Sequence, residues 1–231
     1  MGCPDRRVLR RKMVLSFSFF FMYFPSFKIE REFRKTGLTC VVGTDEAGSG
    51  AWAGPVFAGA VWFGTNFPRL SPLIRDSKLL SPTQREEAFL WIKDRAKAWA
   101  IGQASVDEIT SLNIRQAGLL AMQRAIKGLG LIPDLVLSDG FPLSANAPWK
   151  SQGIVKGDRL VASIAAASIV AKVSRDHHMQ ELDEAFPGYG FAIHKGYGTF
   201  IHAKALQSLG PSRVHRVSYA PIAKLLAITK L

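Results

Sequence analysis

The chain has 231 residues, of which 48% are hydrophobic, so it can bury one sizeable core and is not an intrinsically disordered protein. Its two cysteines are too few for a disulfide framework or a paired zinc site, which indicates a reducing compartment. The net charge of +12 indicates a polyanionic partner such as nucleic acid or an acidic membrane surface.

The first 25 residues differ in composition from the rest of the chain. A basic cluster precedes a short apolar run, as in a secretory signal, but no small-residue cleavage site follows and the run is too short to span a bilayer. We therefore interpret residues 1–25 as an N-terminal extension, with an export signal or a true start at Met13 or Met22 as alternatives. Residues 26–231 are predicted to form one globular domain.

An apolar run that begins at Val41 ends in two adjacent carboxylates, Asp45 and Glu46, which are followed by Gly48 and Gly50. Ionised carboxylates cannot enter an apolar core without partners, so this strand should reach the surface here. Because side chains alternate along a strand, the two carboxylates would diverge unless the backbone turned, and the glycines allow such a turn. This pair is the first part of a candidate metal site.

Several other elements can be predicted from capping residues and periodicity. A short amphipathic helix is expected over residues 28–35, and a strand crowded with small residues is expected over residues 53–63. Beyond them the pattern favours helices that start at Ser81, Ser105 and Asn113, the first running to about Lys97 and the last ending at Gly128 or Gly130.

Two further apolar runs, which end at Asp139 and Asp158, repeat the opening pattern. The C-terminal ends of strands form the edge at which open α/β sheets bind ligands. After Asp158, residues 160–172 are predicted to form a buried helix whose N-terminus lies near the site. Four converging carboxylates would repel one another unless divalent cations neutralised them, and oxygen ligands favour Mg²⁺ or Mn²⁺. The pattern therefore indicates metal-dependent phosphodiester chemistry.

Gly48 to Ala53 also match a dinucleotide-binding fingerprint, but three observations argue against that interpretation. The preceding carboxylates would repel a pyrophosphate, the following segment is strand-like, and no strand-ending acid lies about twenty residues later. A catalytic histidine is also disfavoured, because the five histidines lack a metal-binding spacing.

The motif Gly43-Thr44-Asp45-Glu46-Ala47-Gly48-Ser49-Gly50 resembles the opening motif of the type 2 ribonucleases H, specifically ribonuclease HII. The resemblance covers roughly residues 27–220. Further segments agree with that family in order: Asp76-Ser77-Lys78, Leu112-Asn113, Ala121-Met122-Gln123-Arg124-Ala125, Leu137-Ser138-Asp139-Gly140, Val155-Lys156-Gly157-Asp158, Ala166-Ala167-Ser168-Ile169-Val170-Ala171-Lys172-Val173-Ser174-Arg175-Asp176, and Tyr189-Gly190-Phe191 through His194-Lys195-Gly196-Tyr197-Gly198-Thr199.

This resemblance implies an endoribonuclease that cuts RNA within RNA–DNA hybrids and beside ribonucleotides embedded in duplex DNA, leaving 3′-hydroxyl and 5′-phosphate ends. It implies Mg²⁺ or Mn²⁺ as cofactor, with Asp45, Glu46, Asp139 and Asp158 as metal ligands. The substrate contacts that it implies are the backbone of Gly48, Ser49 and Gly50 around the ribose 2′-hydroxyl, Tyr197 stacked on the junction sugar, and supporting contacts from Asp76, Ser77, Lys78, Asn113, Ser168 and Lys172.

One position departs from the family, which usually has arginine between the two glycines where this chain has Ser49. The substitution removes a cation that could engage the substrate backbone, so strict preference for a single embedded ribonucleotide is in question. The related ribonuclease HIII also varies this position, but it has an extra N-terminal domain that residues 1–26 cannot form.

From these patterns and the resemblance, we expect an α/β fold with a ribonuclease H-like mixed sheet flanked by helices and a helical C-terminal part. We expect a cytoplasmic monomer that acts on hybrids and ribonucleotide-containing DNA in replication and repair, with no membrane partner. The alternatives are a ribonuclease HIII-like enzyme restricted to longer hybrids and a catalytically inactive basic hybrid-binding protein.

Overall fold

The computed structural model describes residues 24–143 and 147–228, and their centre is a mixed sheet of five strands in the order β3-β2-β1-β4-β5. The first three strands form antiparallel pairs, whereas β4 and β5 run parallel to β1. The strands are β1 (Val41–Ala47), β2 (Val56–Trp62), β3 (Ala98–Ala104), β4 (Leu135–Asp139) and β5 (Ser151–Ile154).

Helices cover both faces of the sheet and form the C-terminal part, as predicted. Their bounds are α1 (Lys28–Lys35), α2 (Pro82–Arg95), α3 (Val106–Leu112), α4 (Ile114–Gly128), α5 (Gly157–Leu160), α6 (Ala162–Ala185), α7 (Phe191–His194), α8 (Phe200–Leu209) and α9 (Ala220–Ile228). Within the described ranges, no helix is long and apolar enough to cross a membrane. Apart from Phe24 and Pro25, the predicted N-terminal extension lies outside the described residues.

Helix α6 packs against one face of β1 and β2, and helix α4 packs against the other. Gly59 shows how closely α6 approaches, because a Cβ atom there would lie 2.3 Å from the carbonyl oxygen of Ala167. On the opposite face, Ala58 and Ala60 share an apolar cluster with Ala121 of α4. The small residues of the second apolar run thus allow two helices to sandwich the sheet.

The predicted helix starts are confirmed in detail. Ser81 and Ser105 each accept a hydrogen bond from the backbone three residues later, and Gln84 and Glu108 complete the two capping boxes. These local hydrogen bonds satisfy backbone groups that the first helical turn leaves free.

The sequence interpretation missed strand β3. It assigned no strand between the helix from Ser81, which ends at Arg95, and the helix start at Ser105. The segment 98–104 contains three alanines and a glycine, which do not favour a strand by themselves. Pairing with β2 at seven successive positions makes the segment extended.

The close approach of α6 generates a stability prediction. Replacing Gly59 with alanine places a methyl group against the backbone of Ala167, which the packed helix cannot vacate, and we expect a loss of about 1–3 kcal/mol in the free energy of unfolding. Urea unfolding of the variant measures this loss. Gly50→Ala is the control, because no heavy atom lies within 4 Å of its added Cβ, and equal losses in both variants would contradict the prediction.

Candidate active site

Asp45 and Glu46 lie on opposite faces of β1, because the strand stays regular through Ala47 and pairs Asp45 with Gly59 and Glu46 with Ala58. The predicted backbone turn comes only afterwards, at Gly48, whose φ of 95° suits glycine. The expectation that this turn would bring the two carboxylates to one side of the strand was therefore wrong.

Asp139 ends β4 and lies beside β1 at the C-terminal edge of the sheet. The last pair of the parallel register is Thr44 with Ser138, so Asp139 follows directly beside Asp45. The Asp139 Oδ1 atom accepts a hydrogen bond of 2.7 Å from the backbone N–H of Gly157. That contact ties the end of β4 to the start of α5.

Asp158 does not end a strand, contrary to the sequence interpretation. Strand β5 stops at Ile154, the backbone turns at Lys156 with a φ of 57°, and Asp158 lies buried in the short helix α5. The long helix α6 begins directly after α5, so its N-terminus lies near Asp158 as predicted. Glu30 accepts hydrogen bonds from the backbone and hydroxyl of Ser163 there. The site also uses residues further along α6.

The carboxyl groups of this edge perturb one another. Burial raises the pKa of Asp45 well above its usual range, and the charges of Glu46 and Asp139 raise it further, whereas a hydrogen bond with Ser168 lowers it. Burial likewise raises the pKa of Glu46 and of Asp158, and the charge of Asp139 adds to both shifts. Desolvation and like charge are the expected causes for a group of acids held close together.

Oxygen donors that are buried and mutually repelling fit hard divalent cations, which neutralise charge and prefer carboxylate ligands. Within the described ranges, however, no three His, Cys, Asp or Glu side chains already form a cluster that could hold one ion. The carboxylates of the described ranges therefore share one region of the fold without converging on a single point.

A pocket of about 300 Å³ gathers most of the predicted site residues at this edge. Its walls include the glycine loop, defined here as residues 48–50, and side chains from the 3₁₀ turn at Ser77–Leu79, from α6 and from the turn after α7. The predicted residues that line it are Asp45, Glu46, Gly48, Ser49, Gly50, Ser77, Lys78, Asp139, Ser168, Lys172 and Tyr197.

Hydrogen bonds and ion pairs fix several of these walls. The hydroxyl groups of Ser77 and Ser168 lie 3.2 Å apart, which joins the 3₁₀ turn to α6. Lys172 Nζ lies 2.6 Å from an Asp176 oxygen, and burial lowers the pKa of this lysine. The Asp76 carboxylate accepts a hydrogen bond from the Lys78 backbone N–H, which caps the 3₁₀ turn, and it also pairs with Arg159 at 2.9 Å.

Asn113 does not line this pocket. It has a φ of 69°, and its Oδ1 atom accepts hydrogen bonds from the backbone of Arg115 and Gln116 at the start of α4. Its position between α3 and α4 makes it a helix cap, a role that its residue type favours.

Three buried histidines support the turn that carries Tyr197. His194 accepts a hydrogen bond from the Gly196 backbone, and His202 Nδ1 lies 3.0 Å from the Tyr197 carbonyl oxygen. His202 and His215 meet through their Nε2 atoms at 3.1 Å, and the His215 Nδ1 atom lies 2.9 Å from the Ser212 nitrogen. We assign neutral imidazoles, since this chain of bonds needs one donor and one acceptor on each ring.

Two buried arginines hold the glycine loop and the segment that follows it, and the sequence analysis did not include them among the site residues. Arg175 donates to the carbonyl oxygens of Ala53 and Pro55, and Arg216 donates to those of Ser49 and Gly54. A Cβ at Gly48 would lie 2.0 Å from Arg175 Nε, so this glycine is needed for close approach as well as for its turn. A charged residue in the apolar stretch before Asp176 was the available signal for Arg175.

The histidine cluster generates a pH prediction. Burial lowers the pKa of His202 and of His215 from 6.5 to about 4, so below pH 6.5 the unfolded chain binds more protons than the folded one. Stability should be complete above pH 6.5 and should fall as the pH decreases towards 4, by up to about 1.4 kcal/mol per pH unit for each imidazole.

Chemical denaturation at pH 7.5, 6 and 5 measures this dependence. The variant His202→Asn should flatten it, whereas His177→Asn, at an exposed position, should not. An identical pH dependence in the wild-type protein and the His202→Asn variant would contradict the assignment.

Comparisons with known proteins identify the family of this chain. The family described as Ribonuclease HII matches residues 42–222. A curated ribonuclease HII from Nitrosococcus oceani is 48% identical over 186 residues, which cover 80% of this chain and 91% of that protein. One from Caulobacter vibrioides is 47% identical over 192 residues, which cover 83% of this chain and 89% of that protein.

Solved structures support the fold at lower identity. Ribonuclease H2 from Pyrococcus horikoshii OT3 superposes with a TM-score of 0.68 at 23% identity, covering 82% of this chain and 98% of that one. Given the family match and the identity to curated relatives, the chain belongs to the ribonuclease HII family and is an endonuclease of the ribonuclease H type.

Proposed function

We propose that this protein cleaves the RNA strand of RNA–DNA hybrids and also cuts duplex DNA at embedded ribonucleotides, by divalent-metal-assisted hydrolysis. The products are a 3′-hydroxyl and a 5′-phosphate. Asp45, Glu46, Asp139 and Asp158 hold the metal ions in this proposal.

One observation supports the proposal above all. Three carboxylates, two lysines, one tyrosine and the backbone of the glycine loop line the same pocket at the C-terminal edge of the sheet. Carboxylates suit hard cations, lysines suit phosphates, and the backbone N–H groups suit oxygen atoms of the sugar and phosphate. These are the groups that hydrolysis of a nucleic-acid backbone requires.

Three of the four carboxylates have distinct hydrogen-bond supports, which keep them in place for ligation. The Gly157 N–H holds Asp139, the Ser168 hydroxyl bonds Asp45, and the Ser49 hydroxyl donates to Glu46 at 3.2 Å. Divalent cations bound there would supply an activated water and would neutralise charge that develops on the phosphate. The protein's part is to place these carboxylates so that the scissile phosphate lies against them.

The substrate contacts come from the remaining walls of the pocket. Lys78 is exposed and Lys172 is partly buried, and both suit phosphates on either side of the cleaved bond. His202 contacts the Tyr197 backbone carbonyl, and the Arg175 guanidinium lies 5.4 Å from the centre of the Tyr197 ring. In this proposal the ring presents a flat face to the sugar at the junction. Asn113 is not part of this surface.

Ser49 bears on the choice between single ribonucleotides and longer hybrids. Its hydroxyl group bonds Glu46, so its side chain is directed to the carboxylates and not to the substrate backbone. We therefore propose that a single embedded ribonucleotide remains a substrate.

Cleavage of two labelled duplexes by the full chain tests the proposal, with Mg²⁺ or Mn²⁺ present. One duplex carries a single ribonucleotide and the other is a continuous RNA–DNA hybrid. Cutting of both, with incision at the 5′ side of the lone ribonucleotide, is the expected result. Cutting of the hybrid alone would overturn the claim about embedded ribonucleotides, and no cutting with either metal would overturn the proposed function.

The role assigned to Asp139 gives a second prediction. Asp139→Asn removes a ligand charge but leaves the basic contacts, so cleavage should fall by about 100-fold or more while duplex binding stays largely intact. The matched control is Asp94→Asn, an exposed carboxylate that pairs with its neighbour Arg95. Retained cleavage in the Asp139 variant would exclude this residue from the metal site.

Lys78 gives a third prediction, on salt dependence. Because its exposed ammonium lines the pocket, Lys78→Ala should weaken binding of every duplex alike and should reduce the slope of log K against log salt by about 1. Lys35→Ala is the control, since that exposed lysine pairs with Glu32 on α1. Binding titrations at several salt concentrations measure the slopes, and equal slopes in both variants would refute the contact.

A further inference from the structure

The carbonyl group of Ser49 is held by two side chains from the C-terminal part of the chain. Arg216 Nη1 donates to the Ser49 oxygen at 3.1 Å, and the Tyr219 hydroxyl group donates to the same oxygen at 2.5 Å. Arg216 Nη1 also donates to the Tyr219 oxygen at 3.1 Å, so the three groups form a closed triangle. The Ser49 carbonyl is thereby directed towards these two residues.

This arrangement determines where the next backbone N–H points. The peptide bond is planar and trans, so the carbonyl of one residue and the N–H of the next point in opposite directions. With the Ser49 oxygen turned towards Arg216 and Tyr219, the Gly50 N–H points away from them. Gly50 is exposed and lines the pocket, and its N–H has no acceptor among the described residues.

Arg216 and Tyr219 together are called the clamp. The clamp is rigid because Arg216 is fully buried and binds the glycine loop and the residues after it at several points. Its Nε atom donates to the Gly54 carbonyl oxygen at 2.9 Å, and its own backbone N–H donates to the Trp52 oxygen at 2.8 Å. No carboxylate forms a salt bridge with Arg216 in the described part of the chain. A buried guanidinium held by backbone carbonyl oxygens and one tyrosine hydroxyl, without a carboxylate, costs desolvation free energy, which indicates a specific purpose.

We propose that Arg216 and Tyr219 are positioning residues that hold the Ser49–Gly50 peptide so that the Gly50 N–H faces the pocket as a fixed hydrogen-bond donor to the ribose 2′-hydroxyl oxygen. This inference rests on the function proposed above and specifies how the site distinguishes a ribonucleotide from a deoxyribonucleotide. A 2′-deoxyribose has no oxygen at that position and leaves the donor unpaired, which costs binding energy.

The test measures binding and does not depend on cleavage. In the Asp139→Asn background, dissociation constants are determined for two duplexes that differ only by one 2′-hydroxyl group. The ratio of the two constants reports recognition of the ribose. Adding Tyr219→Phe removes one hydroxyl group from the clamp. We expect the ratio of dissociation constants to fall by about three- to tenfold, which corresponds to the net free energy of one hydrogen bond. Binding of the all-DNA duplex should be unchanged.

Tyr189→Phe is the matched control. The Tyr189 hydroxyl donates to the Gly210 carbonyl oxygen at 2.7 Å, so the same chemical change removes a similar bond away from the pocket. If Tyr219 had only a structural role, Tyr219→Phe would lower the unfolding midpoint or weaken binding of both duplexes equally. The ratio of their dissociation constants would then stay the same. The chemical shift of the Gly50 amide, recorded with each duplex, provides a second readout that a change in stability does not mimic.

The outcomes separate this proposal from the one on which it rests. If the Asp139→Asn protein with Tyr219 intact prefers the ribonucleotide duplex and Tyr219→Phe leaves that preference unchanged, the positioning proposal fails and the proposed function stands. If the protein with Tyr219 intact shows no preference, recognition of the ribose itself fails, and the positioning proposal fails with it. A reduced ratio in Tyr219→Phe but not in Tyr189→Phe supports the positioning role.

Discussion

The active site depends on the electrostatic cost of placing four carboxyl groups at one edge of a buried sheet. Burial and mutual repulsion raise the pKa of Asp45, Glu46 and Asp158. The surrounding chain relieves this cost only in part, through the Gly157 N–H, two hydroxyl groups and the charge of Lys78. Bound divalent cations would remove the remaining repulsion, so the interaction that destabilises this edge would also favour metal binding there.

The wall of the pocket that is formed by the glycine loop has positively charged side chains behind it. Arg175 and Arg216 are buried behind the glycine loop, where Arg216 binds the Ser49 carbonyl oxygen and Arg175 binds that of Ala53 just after the loop. Burial lowers the pKa of Arg175 to about 10, which still leaves it charged at neutral pH. Neutral histidines hold the turn that carries Tyr197 without adding charge. The carboxylates and the positively charged side chains are thus separated at this edge of the sheet.

Ser49 connects the two walls. Its hydroxyl group donates to Glu46, whereas its carbonyl accepts from Arg216 and Tyr219. A single residue of the loop therefore links the carboxylates of β1 to the C-terminal part of the chain. This explains how a serine between the two glycines can be compatible with substrate recognition, since the backbone at this position is held from both sides whatever the side chain contributes to phosphate binding.

Much of the protein follows from the sequence, because local signals are strong where they depend on neighbouring residues. The capping boxes at Ser81 and Ser105, the buried character of α6 and the carboxylates that follow apolar runs needed no tertiary information. Tertiary structure decided what depends on distant partners. Strand β3 is extended because β2 pairs with it, and Asp158 enters a helix because the chain turns at Lys156. The buried arginines acquire their role only when the C-terminal part packs behind the glycine loop, since hydrogen bonds between residues more than 100 positions apart leave no local pattern in the sequence.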